Sequence, residues 1–555
     1  MISRRGIMMA ASVAVLLFCA MLPAPPVPRP LPADIPASDR EIIHLLNRIG
    51  FGPRPGDPER VRRMGIDAYI ELQLHPERID DGSLAARLAG FAVMSMPIAE
   101  AYRNYPQQSD IRKQLGLAMP EKNRAADSVA GDTVDVKAER RMLQQYYQEH
   151  DLKAPKEMLN ELQGQRIVRA VHSGRQLQEV MTDFWLNHFN IFWGKGGDKW
   201  MMASFETNAI RPNALGNFRD LLMATAKSPA MLFYLDNYLS ASAQRAGNGA
   251  RAGRKSGINE NYAREIMELH TLGVDGGYTQ RDVQEVARCF TGWTIDKAGS
   301  NGGFIFRPKL HDDGAKQVLG VDIPAGGGIS DGEKVIDILA RQPGTARFIA
   351  TKLVRRFVAD GPPQSLVNRV ADVYTRTGGD IAAMLGTILT SNEFRGPEAY
   401  RAKIKSPFEL AVSAIRALDG GTDGSPRIAG SIAKMGEALY MYQPPTGYPD
   451  RAAQWVNTGA LAERLNFGQA LAAGRIPGTT VNAGLLVGDG TGIGAEALLE
   501  RAVNLLLGGD ISSGTRAVLQ RSLNDGVAAG NRQGAPSEAA RVIGLVLGTP
   551  EFQRR

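Results

Sequence analysis

The residues of this chain best suited to chemistry lie between Gly257 and Val283, in GINENYAREIMELHTLGVDGGYTQRDV. The first fourteen residues hold three carboxylates, two asparagines and a histidine. At about 100° per residue, Asn261, Glu265, Glu268 and Leu272 share one helical face. Tyr262, Ile266, Leu269 and Val274 form a separate apolar side. Two carboxylates one turn apart, with an amide one turn earlier, suit a hard divalent cation or a proton shared between two acids. They equally suit ion pairing on a solvated face, with Arg264 at hand. His270 lies more than about 90° around the helix from Glu265, so joint ligation of one metal needs a further segment. A histidine near a helix C-terminus also has a macrodipole explanation.

Two other segments offer partners. In QLQEVMTDFWLNHFNIFW, residues 176–193, the side chains Leu177, Val180, Met181, Phe184, His188, Ile191 and Phe192 fall on one stripe. Asp183, Asn187 and Asn190 fall on the other face. A histidine buried by pattern must find hydrogen-bond partners, either as a satisfied core residue or as a ligand or general base. In FRPKLHDDGAKQVLG, the residues His311, Asp312 and Lys316 cluster where Asp313-Gly314 predicts a hairpin turn. The turn accounts for Asp313-Gly314 but not for His311-Asp312, and a His-Asp pair on a loop can complete a site begun by Glu265 and Glu268. The expected catalytic groups are therefore Glu265, Glu268, His188 and His311. Asn187 and Asn261 are expected to bind a cofactor. Glu265, Glu268, His270, His311 and Asp312 are the expected ligands of a divalent metal. No HExxH, GxSxG, P-loop, paired-cysteine zinc motif or Rossmann glycine pattern occurs, so the reaction class stays open.

These groups need a helical frame. The periodicity predicts a mainly α protein, a multi-helix array in two or three subdomains, with one small β-hairpin near 303–321 where Phe304 and Phe306 alternate with Ile305 and Arg307. Asn259 is an N-cap and Gly273 a C′ residue, while Thr279 to Asp282 is a capping sequence for a second helix. The expected organisation is a main helical domain over 39–473 with a charged, solvent-facing insertion at about 105–161. A Gly-rich linker at 474–493 and a C-terminal helical block at 494–555 follow. The Ala-, Gly- and Arg-rich loop 240–256, directly before the Asn259 helix, is expected to act as a lid or docking loop.

A formal charge of +7 is small for 555 residues, and the longest basic stretch, 251–255, has no interleaved aromatics; both disfavour a nucleic-acid partner. The N-terminus reads as an export signal over 1–24 followed by a Pro-rich linker at 25–38. Ser3-Arg4-Arg5-Gly6-Ile7-Met8 fits a twin-arginine signal, and an ordinary secretory signal with two arginines fits as well. The expected location is periplasmic, cell-surface or secreted, with membrane contact only through this segment. Only Cys19 and Cys289 are present, so removal of the signal leaves no intrachain disulfide.

The stretches DFWLNHFNIFW, RPNALGNFRDLLMATAKSPAMLFYLDN, NENYAREIMELHTLGVDGGYTQRDVQEVARCFTGW, HDDGAKQVLG and the terminal PEFQ together resemble the bacterial domain-of-unknown-function family 1800, over nearly the whole chain after the signal. The resemblance implies a large, mainly helical exported protein, often encoded beside a second exported family, number 1501, that is similar to sulfatase- and phosphatase-type hydrolases. It supplies no catalytic residues. Cys289 stands where the family usually has a small residue, and YQPPTGYPDRAAQW replaces a Pro-Asn-Val-Gly-Trp type of pattern. Two functions follow as expectations. One is a metal- or carboxylate-dependent hydrolase acting on an envelope or extracellular polymer. The other is a non-catalytic scaffold or binding partner of a family-1501-like protein or a surface glycan.

Overall fold

Apolar residues at helical spacing build most of the chain, and in the computed structural model, which describes residues 37–117, 133–242, 257–488, 493–528 and 537–555, helices dominate. The expected signal, most of the Pro-rich segment and residues 243–256 of the expected lid lie outside the described residues. The helix Ala37–Ile49 buries Ile42, Leu45, Leu46 and Ile49, the predicted stripe. Its Arg48 is fully buried too, donating to the carbonyls of Phe357, Val358 and Ala399. Backbone acceptors from distant segments replace the water that the guanidinium has lost.

The helix Thr133–Glu149 is largely exposed over its described side chains. The helix Pro155–His172 begins within the same charged stretch yet buries Met158 and Leu162, so the solvent-facing part ends before it. Buried residues from Ile42 to Phe552 join one core cluster that includes both sides of the Gly-rich segment. The helix Thr458–Ala472 packs against Glu538–Leu547, where a Cβ on Gly468 would stand only 3.1 Å from that of Leu547. The main chain of Arg555 pairs with that of Lys403 in both directions, at 2.9 and 3.2 Å, and so ties the final segment to the body.

Strands are few and short. β1 (Trp293–Ile295) pairs with β2 (Phe304–Phe306), β3 (Lys316–Val318) with β4 (Val321–Ile323), and β5 (Gly421–Thr422) with β6 (Thr479–Thr480), all antiparallel. The one hairpin expected near 303–321 is therefore two. Phe304 pairs back onto Ile295 because buried Trp293 packs edge-on against the Phe304 ring, with centroids 5.3 Å apart. Asp313-Gly314 does not turn a hairpin; the Asp313 carbonyl accepts from Gly326. The tight turn is Leu319-Gly320, with φ of 48° and 78°, the doubly left-handed geometry that matches strand twist. Leucine is not a turn residue, and here the Leu319 N–H is held by Asp282 at 2.9 Å.

Candidate functional site

The helix Gln176–His188 forms one wall of a cleft of about 500 Å³. Leu177, Val180, Met181 and Trp185 enter the core, which turns Asp183, Asn187 and His188 to the cleft. The helix ends at His188, earlier than the apolar stripe predicts, because Phe189 leaves helical geometry and the Asn190 amide donates to the carbonyls of Tyr442 (2.9 Å) and Pro444 (2.8 Å). Asn187 grips the same loop. Its Nδ2 donates to the Tyr448 carbonyl at 2.8 Å and its Oδ1 accepts from the Tyr448 N–H at 2.7 Å. Gly447, at φ 70°, passes so near that any Cβ would run into the Asn187 carbonyl. Only glycine satisfies both the close approach and the left-handed backbone.

The walls carry charge of both signs. Arg166 pairs with Asp183, and its guanidinium lies 5.2 Å from the Phe408 ring centroid and 5.1 Å from that of Tyr440. Arg356 and Arg555 share Glu409, the latter at 3.0 Å. Lys352, on the helix Pro343–Phe357, donates to His188 Nδ1 at 2.7 Å, while His188 Nε2 meets the His270 carbonyl at 3.1 Å. That pattern assigns the hydrogen to Nε2 and the lone pair to Nδ1. Burial, and then the Lys352 charge, hold His188 well below the usual histidine range, so the ring is neutral and acts as an acceptor. Lys352 itself is brought down to about 8 by burial, with Asp450 opposing and Arg355 adding to the shift.

Glu437 is the most perturbed acid of the cleft walls. Its Oε2 accepts the Phe408 N–H at 2.8 Å, at the start of the helix Pro407–Ala417. Burial, and then Asp183, nevertheless push its carboxyl up to about 7. One cleft thus holds an acid that keeps its proton near neutrality and a carboxylate salt-bridged to arginine. Tyr442, Tyr448 and Trp455 complete the lining, with Tyr442 and Tyr448 centroids 4.2 Å apart and Tyr448 and Trp455 centroids 5.8 Å apart. An aromatic wall with a few convergent polar groups is the usual make-up of a ligand site.

The groups expected from sequence are only partly brought together. His188 and His270 are neighbours, with ring centroids 6.1 Å apart, and His270 also packs on Phe189 at 5.0 Å. Glu265 and Glu268 do not line the cleft; burial, and then Glu268, raise the Glu265 carboxyl, while Glu268 accepts from the Tyr278 hydroxyl at 3.3 Å. Asn261 is exposed and serves the helix start, its N–H donating to Asn259 Oδ1 at 2.9 Å. Asn187, expected to bind a cofactor, lines the cleft with its amide on the main chain of Tyr448. His311 is buried with Nδ1 against the Thr291 carbonyl at 2.8 Å and Nε2 against Asp331 at 3.2 Å, and Asp312 takes Arg288 at 3.0 and 3.1 Å. The split hairpin ties 311–312 to the helix Gln280–Cys289 and the turn after it, so the five expected metal ligands are not gathered. Among the described residues, no three His, Cys, Asp or Glu side chains group to hold a metal ion. Cys289 is buried, and burial pushes its thiol up to about 12, which leaves it inert.

Glu437, Lys352, Arg355 and Trp455 were not among the expected site residues. The stretch YQPPTGYPDRAAQW, rich in aromatics next to charge, is a sequence signal for Trp455 alone; nothing local to Lys352, Arg355 or Glu437 sets them apart from solvated charges.

The buried histidines give a pH dependence. His44 and His270 are each brought to about 3, the former by burial and Arg48, the latter by burial and Lys352. With His188, all three bind protons in the unfolded chain below about 6.5 but not in the native one, so stability is present above that pH and lost on acidification. The loss is up to about 1.4 kcal/mol per pH unit for each ring. Glu437 acts oppositely, since its raised carboxyl favours the native state at low pH and that contribution disappears between about 4.5 and 7. Three rings against one acid predict a lower denaturant midpoint at pH 5 than at pH 7. Equal midpoints would show that the rings are not held neutral.

A family model described as "Protein of unknown function (DUF1800)" matches residues 44–554. No curated protein and no solved structure matches the chain.

Proposed function

The chain belongs to the DUF1800 family of proteins of unknown function, and from that premise we propose that it is an exported hydrolase whose cleft cleaves a hydroxyl-rich polymer of the envelope or extracellular space. Glu437 gives a proton to the leaving oxygen, and Asp183 supplies the second carboxylate. The observation that carries this reading is the unequal acid pair, with Glu437 pushed up to about 7 beside an Asp183 clamped by Arg166. Glycoside cleavage uses two such groups, one protonating the glycosidic oxygen and the other attacking the sugar or activating water. The Tyr442, Tyr448 and Trp455 faces suit the apolar C–H faces of sugar rings. This is the carboxylate branch of the expected hydrolase; the metal branch relied on ligands that stand apart. The signal-like N-terminus supports export, and no helix among the described residues is long and apolar enough to cross a membrane.

The test is incubation of the purified chain with a panel of envelope and extracellular polysaccharides, read as new reducing ends. Cleavage is expected, with kcat/KM falling as pH rises through about 7 because the acid must be protonated. Activity that climbs through that pH would assign the proton to another group. Binding without cleavage of any polymer would favour the non-catalytic partner instead.

A further inference from the structure

The cations of the cleft sort into two sets. Arg166 is paired with Asp183, and Arg356 and Arg555 share the single carboxylate of Glu409. Lys352, Arg355 and Arg451 also line the cleft, and among the described residues none of them has a carboxylate at ion-pair distance. Lys352 uses one ammonium hydrogen on His188, and Arg355 makes only a long contact from Nε to the Asp360 carbonyl at 3.4 Å. Asp450, the nearest acid in sequence, is held by Lys403 at 2.8 Å. Arg355 is lowered by burial and then by the like charge of Arg451, only partly opposed by Asp450 and Asp360, so the like-charge repulsion of the two guanidinium groups outweighs the pull of either nearby acid. Lys352 and Arg355 are partly buried and Arg451 is exposed, so the three lead from the floor to the rim.

We propose that the cleft takes an acidic glycan, whose oxyanion, a sulfate or a carboxylate borne by a sugar, docks between Lys352, Arg355 and Arg451. The oxyanion rests on these three cations alone; the glycan rests on the hydrolase reading. Planar guanidinium groups match either oxyanion with paired N–H donors, and the lysine adds a point charge at the closed end.

The experiment is calorimetric titration of the full chain with short dextran, carboxymethyl-dextran and dextran sulfate oligosaccharides, which share one backbone and differ in charge. At least one acidic series should bind about tenfold or more tightly than the neutral one, and which of them binds identifies the anion. Arg355→Gln/Arg451→Gln should lose on the order of 10- to 100-fold in affinity for it. Glu437→Gln should keep it. Arg451→Gln alone, at an exposed position, controls for folding and should show a smaller loss in the same direction. Equal binding of neutral and acidic oligosaccharides, or undiminished binding by the arginine variants, overturns the inference. If the arginine variants bind normally while Glu437→Gln abolishes cleavage, the anion site is wrong and the hydrolase stands. If acidic sugars bind through the arginines while no polymer is ever cut, the anion site stands and the hydrolase falls.

Discussion

Glu437→Gln should lower kcat on a cleaved polysaccharide by about 10²- to 10⁴-fold, the usual share of a positioned general acid. Glutamine keeps the shape and can still accept the Phe408 N–H, so the helix start at Pro407 stays intact. What it lacks is a transferable proton. The decline of activity above about pH 7 should vanish with it, leaving a flat residual rate. The same variant should be the more stable protein at alkaline pH. A carboxyl raised from about 4.5 to about 7 in the fold opposes folding once it ionises, by on the order of 3 kcal/mol at most. Low activity together with a higher melting temperature at pH 8 marks a residue kept for chemistry at the expense of stability. A variant retaining more than about a tenth of kcat would remove Glu437 from the reaction.

The largest stability effect is expected at Asp331. Its side chain is fully buried and its Oδ2 receives the Lys316 ammonium at 2.7 Å and His311 Nε2 at 3.2 Å. Two carbonyls, of Asp312 and Gly314, complete the ammonium's shell. Asp331→Ala leaves a buried cation with dipoles but no counter-charge, at a cost of about 3–5 kcal/mol. For a chain of this size, whose unfolding entropy is large, that is a fall in melting temperature of about 3–4 °C. Adding Lys316→Met should recover part of the loss, because an apolar pair is tolerated better than half of a buried ion pair. Scanning calorimetry of the three proteins decides it. A single variant within about 1 kcal/mol of wild type, or a double variant worse than the single, would mean that the pair is not what holds β3 to the helix Ile329–Arg341.

Local signals were legible in the sequence and distant ones were not. Asn259 and Thr279 cap their helices as read, because a cap bonds to residues two or three positions ahead. The stripe of Ile42, Leu45, Leu46 and Ile49 is buried because a helix period is a local property. The end of the helix at His188 is set by Asn190 meeting carbonyls some 250 positions onward, and no window of sequence contains both. The cleft divides in the same way. Asp183 and Asn187 stood out on a polar helix face, whereas Lys352, Arg355 and Glu437 look like ordinary solvated charges until the fold turns them inward. The acidic helix face at 261–268 drew attention through its composition, yet Asn261 is exposed, and neither Glu265 nor Glu268 reaches the cleft.

The cleft takes its walls from Arg166, Asp183, Lys352, Glu437, Trp455 and Arg555, positions that span most of the polypeptide. A chain still being synthesised therefore lacks part of the cleft until its later segments are made. The lining is complete only once the segment carrying Arg555 has docked against Lys403, so the cleft and the closure of the fold form together.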